Sequence, residues 1–201
     1  MNYPETINNL IECFKRLPGV GEKSAERFAL SLIDNDEKYL QLFSQLISDV
    51  KKKVRKCQKC HSYSEKEICD ICSDDKRNGQ IICVVENPKD VISLEKTGSY
   101  NGKYHVLDGL ISPIDGKNPE DLNISSLLER VKNENIQEVI FVLTPGVEGE
   151  TTSLYITKKI NNKNITISKI AHGVPLGANM DYIDSLTLEM ALENRTIVSN
   201  S

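Results

Sequence analysis

Four cysteines carry the sharpest chemical signal in this 201-residue chain. Cys57-Gln58-Lys59-Cys60 and Cys69-Asp70-Ile71-Cys72 are two C-x-x-C pairs separated by eight residues. Each pair can grip a cation through a tight knuckle, and together they offer four thiolates, the full tetrahedral shell of Zn2+. A closed shell leaves no position for water or substrate, so a zinc held by Cys57, Cys60, Cys69 and Cys72 would be structural. Redox disulfides or plain burial are the other uses of such thiols; the short spacing and a reducing compartment favour the metal. His61 adjoins Cys60 but would be a fifth ligand, and it reads as a surface residue. Cys13, beside an apolar helical face, and Cys83, inside an apolar run, read as small buried side chains.

A second constellation is Leu17-Pro18-Gly19-Val20-Gly21 followed by Lys23, Ser24 and Arg27. Two glycines permit a tight turn in which no Cβ blocks a neighbouring phosphate. The N-terminus of the next helix offers free backbone N–H groups to that anion. Lys23 and Arg27 lie four apart, so both can reach one phosphate backbone. This resembles a helix-hairpin-helix, a sequence-independent DNA-binding motif, with Gly19, Gly21, Lys23 and Arg27 as the contact residues. An ordinary bend with Gly at a helix end is the plainer reading. The tract Lys51, Lys52, Lys53, Arg55, Lys56 and Lys59 is a secondary candidate, since a charge run is more often a solvated helix face.

The third constellation is acidic: Glu86, and Glu148-Gly149-Glu150 after Thr144-Pro145-Gly146. Each follows an apolar run of strand type, where ligands bind in an open parallel sheet. The arrangement resembles the Toprim domain of topoisomerases, primases and some nucleases. That family has a Glu after its first strand and D-x-D after its third, followed in topoisomerases by E-G-E. Here Thr144 and Gly146 stand at the two Asp positions and carry no carboxylate for Mg2+. Glu148 and Glu150 equally suit a solvated helix N-terminus, where the helix dipole favours acids.

These residues need elements to hold them. Ile7, Leu10, Ile11, Phe14 and Leu17 predict a first helix, and Ala25, Phe28, Ala29 and Leu32 a second. A third follows from Tyr39, Leu40, Phe43, Leu46, Ile47, Val50 and Val54. The polar run from Ser73 to Gly79 reads as a linker. Beyond it the runs 81–85, 104–107, 139–143 and 165–170 read as four strands. They alternate with helices carrying Val91-Ile92-Leu94, Ile124-Leu127-Leu128-Val131 and 151–160, and a last helix is capped by Asp184 or Ser185. Alternation of this kind gives βαβ units and a parallel sheet.

Composition sets outer bounds. Residues 1–80 carry 14 Lys and Arg against 13 acids, while 81–201 carry 11 against 16, so a basic-leaning head is joined to an acidic body. The net charge of −4 excludes a bulk polycation. No apolar run reaches the roughly 18 residues of a membrane span, and the first 20 residues hold no signal-peptide core. A cytoplasmic protein without membrane contact is expected. No G-x-x-x-x-G-K-[ST] loop supports nucleotide hydrolysis.

In this order the pieces resemble the RecR family of bacterial recombination mediators. The stretches that carry the likeness are LPGVGEKSAERFAL, CQKC…CDIC, IICVVENPKDVISLEKTGSYNGKYHVLDGLISPIDG, TPGVEGETTSLYI and GVPLGANMDYIDSLTLEMALENR, spanning about residues 5–197. The chain departs where the family has an R-G-[LV]-P-[VI]-G-G-[DE]-like segment and this one reads Ala171-His172-Gly173-Val174-Pro175-Leu176-Gly177-Ala178-Asn179. The resemblance implies an α+β multi-module protein. A helical helix-hairpin-helix region would occupy 1–54, a four-cysteine zinc finger 55–76, and an α/β Toprim domain with a four-stranded parallel sheet 79–175. A C-terminal helical segment would occupy 176–201 and serve oligomerisation. It further implies a non-enzymatic DNA-binding mediator that acts with RecO, and with RecF where present, to load RecA on SSB-coated single-stranded DNA at gaps. The assembly would be a homo-oligomer, a dimer or a ring-shaped tetramer built through both termini, with Glu86, Glu148 and Glu150 facing the partner. The alternative is a Mg2+-dependent Toprim enzyme of nuclease, primase or topoisomerase type.

Overall fold

The computed structural model describes residues 3–171, 173–174 and 177–195. The chain divides into two compact units, Met1–Val54 and Arg55–Ser201.

In the first unit, α1 (Glu5–Lys15) and α2 (Glu22–Ile33) pack through Ile11, Ala25 and Ala29, with Ile7, Leu10, Phe14 and Val20 around them. Two alanines one helical turn apart give α2 a flat face, so α1 lies close against it. Phe14 and Phe28 seal the contact edge-on, with ring centroids 5.8 Å apart. α1 stops before the end of its apolar period. Pro18 disfavours helical backbone at Leu17, which lies outside the helix with half its surface exposed. Cys13 is exposed rather than buried. It sits two residues beyond Ile11, about 200° around the helix from the packed face. Asp36 caps α3 (Glu37–Lys53) by accepting from the Lys38 N–H at 2.7 Å, and Lys51, Lys52 and Lys53 occupy its last turn, where cations suit the dipole. The helix forms, but no residue of α3 is buried.

The second unit opens with a short antiparallel pair, β1 (Arg55–Lys56) and β2 (Tyr63–Ser64), and a one-turn helix α4 (Asp70–Ser73). It continues through β3 (Asn78–Val85), α5 (Pro88–Glu95), β4 (Gly102–Val106), α6 (Ile124–Asn133), β5 (Glu138–Val142), α7 (Val147–Ile160), β6 (Thr166–Lys169) and α8 (Ser185–Glu193). Four parallel strands lie in the order β4-β3-β5-β6. Helices on the sheet bury the apolar runs. Ile82, Val84, Leu107, Leu127, Val139, Phe141 and Ile156 fill one core, and Cys83, Val85, Val91, Tyr104 and Val106 the other. Residues alternating along β3 therefore serve opposite faces, as the pleat requires. Asn87 and Asp90 form a reciprocal capping box that starts α5 just behind Pro88.

Every residue of β4 is buried although β4 is an edge strand. The cysteine segment lies against it: the Val106 N–H donates to the Cys60 carbonyl at 2.9 Å. Arg130 of α6 adds a hydrogen bond to the Tyr104 carbonyl at 2.8 Å. An open edge is thereby closed without another strand. The run 73–79 is not the free linker its polarity suggested. β3 already begins at Asn78, and Arg77 reaches Glu95 at 3.0 Å and the Gly102 carbonyl at 3.2 Å. His172, Pro175 and Leu176 of the divergent segment, and residues 196–201, lie outside the described residues.

Candidate functional site

The four cysteines converge. Cys57, Cys60, Cys69 and Cys72 are all buried and free of disulfides, and their Sγ atoms lie within 4.8 Å of one another. Cys60 and Cys69 Sγ are 3.5 Å apart. A tetrahedron with Zn–S of 2.3 Å needs about 3.8 Å between sulfurs, so the set fits one zinc with little movement. Backbone geometry prepares it. The His61 N–H reaches back to the Cys57 carbonyl at 2.9 Å, which His61 achieves with a left-handed φ of 61°. The Cys69 N–H points at Cys57 Sγ at 3.3 Å, stabilising a thiolate. Without a cation the sulfurs share protons unevenly. Hydrogen bonds from Cys60 and then Cys72 hold the Cys69 thiol well below the usual thiol range, while hydrogen bonding to Cys69 drives Cys60 up. A divalent ion replaces those protons. The residues present therefore fit the structural zinc expected of them, and they would hold it with no open coordination position.

His61 is neither a ligand nor a surface residue. Its Nε2 meets Ser126 Oγ of α6 at 2.8 Å, and its ring stands edge-on to His105, with centroids 5.2 Å apart. Fully buried His105 hydrogen-bonds the Asn123 carbonyl through Nε2 at 2.8 Å, and its Nδ1 lies 3.2 Å from Arg130 Nη1. An arginine can only donate, so Nδ1 accepts and the ring is the neutral Nε2–H tautomer. Burial pushes His105 down to about 3, which keeps it so.

The glycine turn is built as its spacing implies. Gly19 has φ of 76°, a conformation that costs any side chain strain. Gly21 caps α2 without a side-chain acceptor, so the first N–H groups of α2 are open to an external anion. A Cβ at either glycine would meet nothing within 4 Å, leaving room above the turn. Lys23 and Arg27 are exposed on α2, and among the described residues neither has a carboxylate partner. Arg27 lies over the Phe28 ring at 5.6 Å. Of the acids nearby, Glu26 accepts the Tyr3 hydroxyl and Glu12 pairs with Lys15 at 2.7 Å.

The acids at the sheet edge do not gather round one point. Glu86, just past β3, accepts from Thr144 Oγ1 at 2.5 Å. Glu150 pairs with Lys169 at the end of β6 at 2.9 Å. Glu148 stands exposed in the first turn of α7. Among the described residues, the four cysteines are the one group of three or more potential ligands within reach of a single ion. Asp108, which spacing did not single out, lies at this edge after β4, with φ of 71° and an ion pair to Lys56 at 2.9 Å. Beside Glu148 a groove of about 590 Å3 runs between Leu110–Ile114 and Thr144–Gly149. Ile114 and Val147 at its rim are 97% and 84% exposed, more than a solvated rim needs.

Four family models match consecutive parts of the chain. They are the RecR helix-hairpin-helix over residues 7–51, the RecR four-cysteine zinc finger domain over 54–74, the Toprim domain over 80–171 and the RecR C-terminal region over 173–196. The chain is similar to proteins named Recombination protein RecR from Staphylococcus saprophyticus subsp. saprophyticus and Staphylococcus aureus. Each is 43% identical over 196 residues, covering 98% of this chain and 99% of the relative. With the helical pair, the four-thiol centre and the parallel sheet in the same order, the chain belongs to the RecR family.

Proposed function

We propose that this chain is a non-enzymatic, DNA-binding mediator of recombinational repair. In the cytoplasm it works with a RecO-like partner, and a RecF-like one where a cell has it, to load RecA on SSB-coated single-stranded DNA at gaps. The observation that carries the reading is the pair Lys23 and Arg27. Both are exposed and uncompensated, on the helix that starts at the open Gly19–Gly21 turn. Such a site reads phosphates and not bases, so binding should be sequence-independent. Two phosphate contacts give a salt slope of only about −1.4 to −1.8, hence weak binding by one copy. Repeating the hairpin in a homo-oligomer raises avidity. The apolar stripe of α3, with Tyr39, Leu42, Leu46, Ile47 and Val50 all exposed, suits a second copy.

Glu86, Glu148 and Glu150 belong to a partner-facing edge in this reading. Catalysis through Mg2+ finds no support in them. Thr144 gives Glu86 a hydroxyl where that chemistry needs a second carboxylate, and Gly146 supplies none.

The test is fluorescence anisotropy with labelled single-stranded and duplex oligonucleotides of several sequences. The Lys23→Ala/Arg27→Ala double variant should bind all of them about tenfold more weakly, with a flatter salt dependence. Wild-type affinity in the folded double variant, or Mg2+-dependent cleavage by the wild type, overturns the proposal.

A further inference from the structure

We infer that Lys103 is the counter-ion of the zinc centre, supplied to the finger by the sheet. Lys103 lies in β4 and is 6% exposed. Its ammonium donates to three carbonyls: Ile71 at 2.8 Å, Asp74 at 2.7 Å, and Cys72, itself a ligand residue, at 3.2 Å. Three protons meet three acceptors, so its hydrogen bonding is saturated. Its charge is not. Among the described residues no carboxylate pairs with it.

Three exposed or half-exposed lysines of the finger have one. Lys56 pairs with Asp108 at 2.9 Å, Lys59 with Glu134 at 3.3 Å and Lys66 with Asp70 at 2.5 Å. A buried cation without a partner would be costly. The zinc centre has the opposite problem. Four thiolates around one Zn2+ make a buried centre of net charge −2. The two solve each other: Lys103 offsets half of that charge and pins the second knuckle through its carbonyls. Because four zinc-bound thiolates carry more negative charge than the same sulfurs without the metal, Lys103 stabilises the loaded state over the empty one. Burial shields the effect from salt, unlike a surface pair.

The experiment uses the full-length, zinc-loaded protein. Wild type, Lys103→Met and Lys103→Arg are challenged with 4-(2-pyridylazo)resorcinol and zinc release is followed by absorbance. The cobalt-substituted proteins report ligand geometry by their d–d bands. Lys103→Met, which keeps the aliphatic bulk and loses the charge, should release zinc at least about tenfold faster, with tetrahedral cobalt bands unchanged. Lys103→Arg should fall between Met and wild type. Zinc retention by Lys103→Met equal to wild type, or Lys103→Arg no better than Met, overturns the inference. If Lys103→Met purifies unfolded, excess zinc should restore its circular dichroism by mass action. Failure at every zinc concentration, where stripped wild type refolds, overturns it equally.

Discussion

Thr144 shows how one residue changes what an acidic edge can do. A carboxylate there would sit against Glu86 and call for a cation; a hydroxyl donates to Glu86 at 2.5 Å and asks for nothing. Gly146 could not become an acid cheaply, since its φ of 143° strains any side chain. Of the three glutamates at this edge, Glu148 is the one left exposed with neither an ion pair nor a side-chain hydrogen bond among the described residues. Glu148→Lys, and more weakly Glu148→Ala, should weaken binding of a RecO-like protein in calorimetric titration by more than they weaken DNA binding, because reversal adds repulsion to the lost attraction. An unchanged RecO affinity would count against that role. Glu95 gives a second prediction. Burial would raise its carboxyl, but hydrogen bonds from Arg77 and Tyr104 outweigh it and hold the group below the usual carboxylate range. The folded state therefore prefers the ionised form, and the stabilisation is full above the unfolded value of 4.5 and lost as pH falls through the folded one. Glu95→Gln should cost about 1–3 kcal/mol in urea unfolding at pH 7, with the gap to wild type closing below about pH 4.

α3 is the element whose composition and packing disagree. Its apolar residues recur with helical period, yet Leu42, Leu46, Ile47 and Val50 are all more than half exposed. An amphipathic helix with no buried residue leaves its apolar stripe open to a partner. Leu46→Asp/Ile47→Asp should lower the mass seen by light scattering at micromolar concentration and leave helicity by circular dichroism nearly unchanged. DNA affinity should fall with it if avidity is the source of binding. A variant of wild-type mass would remove α3 from the interface. The α1–α2 pair makes the contrasting case, since Ala25 and Ala29 bury their short face directly and the Gly19 turn holds the pair together.

At the scale of the whole molecule, the zinc centre and the parallel sheet behave as one body. The Val106 N–H bonds the Cys60 carbonyl, His61 bonds Ser126, and Lys103 bonds the second knuckle. Metal removal should consequently reach beyond the finger. Elemental analysis should find one zinc per chain. Chelation should speed amide hydrogen exchange in residues 102–106 as well as 55–75, because the metal's binding energy is part of the folding energy of both. Exchange that rises in 55–75 alone would mean the two fold separately. Residues 5–33 form a different unit and should be indifferent to the metal.

The features legible in the chain were those written within one element or one short turn. The C-x-x-C spacing announced four ligands because a knuckle is a local geometry. Pro18-Gly19 announced a turn, and the β-branched runs at 81–85 and 139–143 announced strands buried on both faces. Even there, neighbours along the chain could mislead: Leu17 kept the helical period after Pro18 had ended the helix, and Cys13 matched the composition of a core it faces away from. What the chain concealed were contacts across long separations. Thr144 meets Glu86, Lys103 meets Ile71 to Asp74, and Arg130 meets His105 because parallel strands are joined by crossovers that bring distant strand ends to one edge. Nothing in the spacing of Lys103 or His105 marks them as buried; the fold does so by laying the zinc finger and α6 over β4. Spacing reports geometry over a few residues; burial and charge pairing depend on which surfaces the crossovers press together.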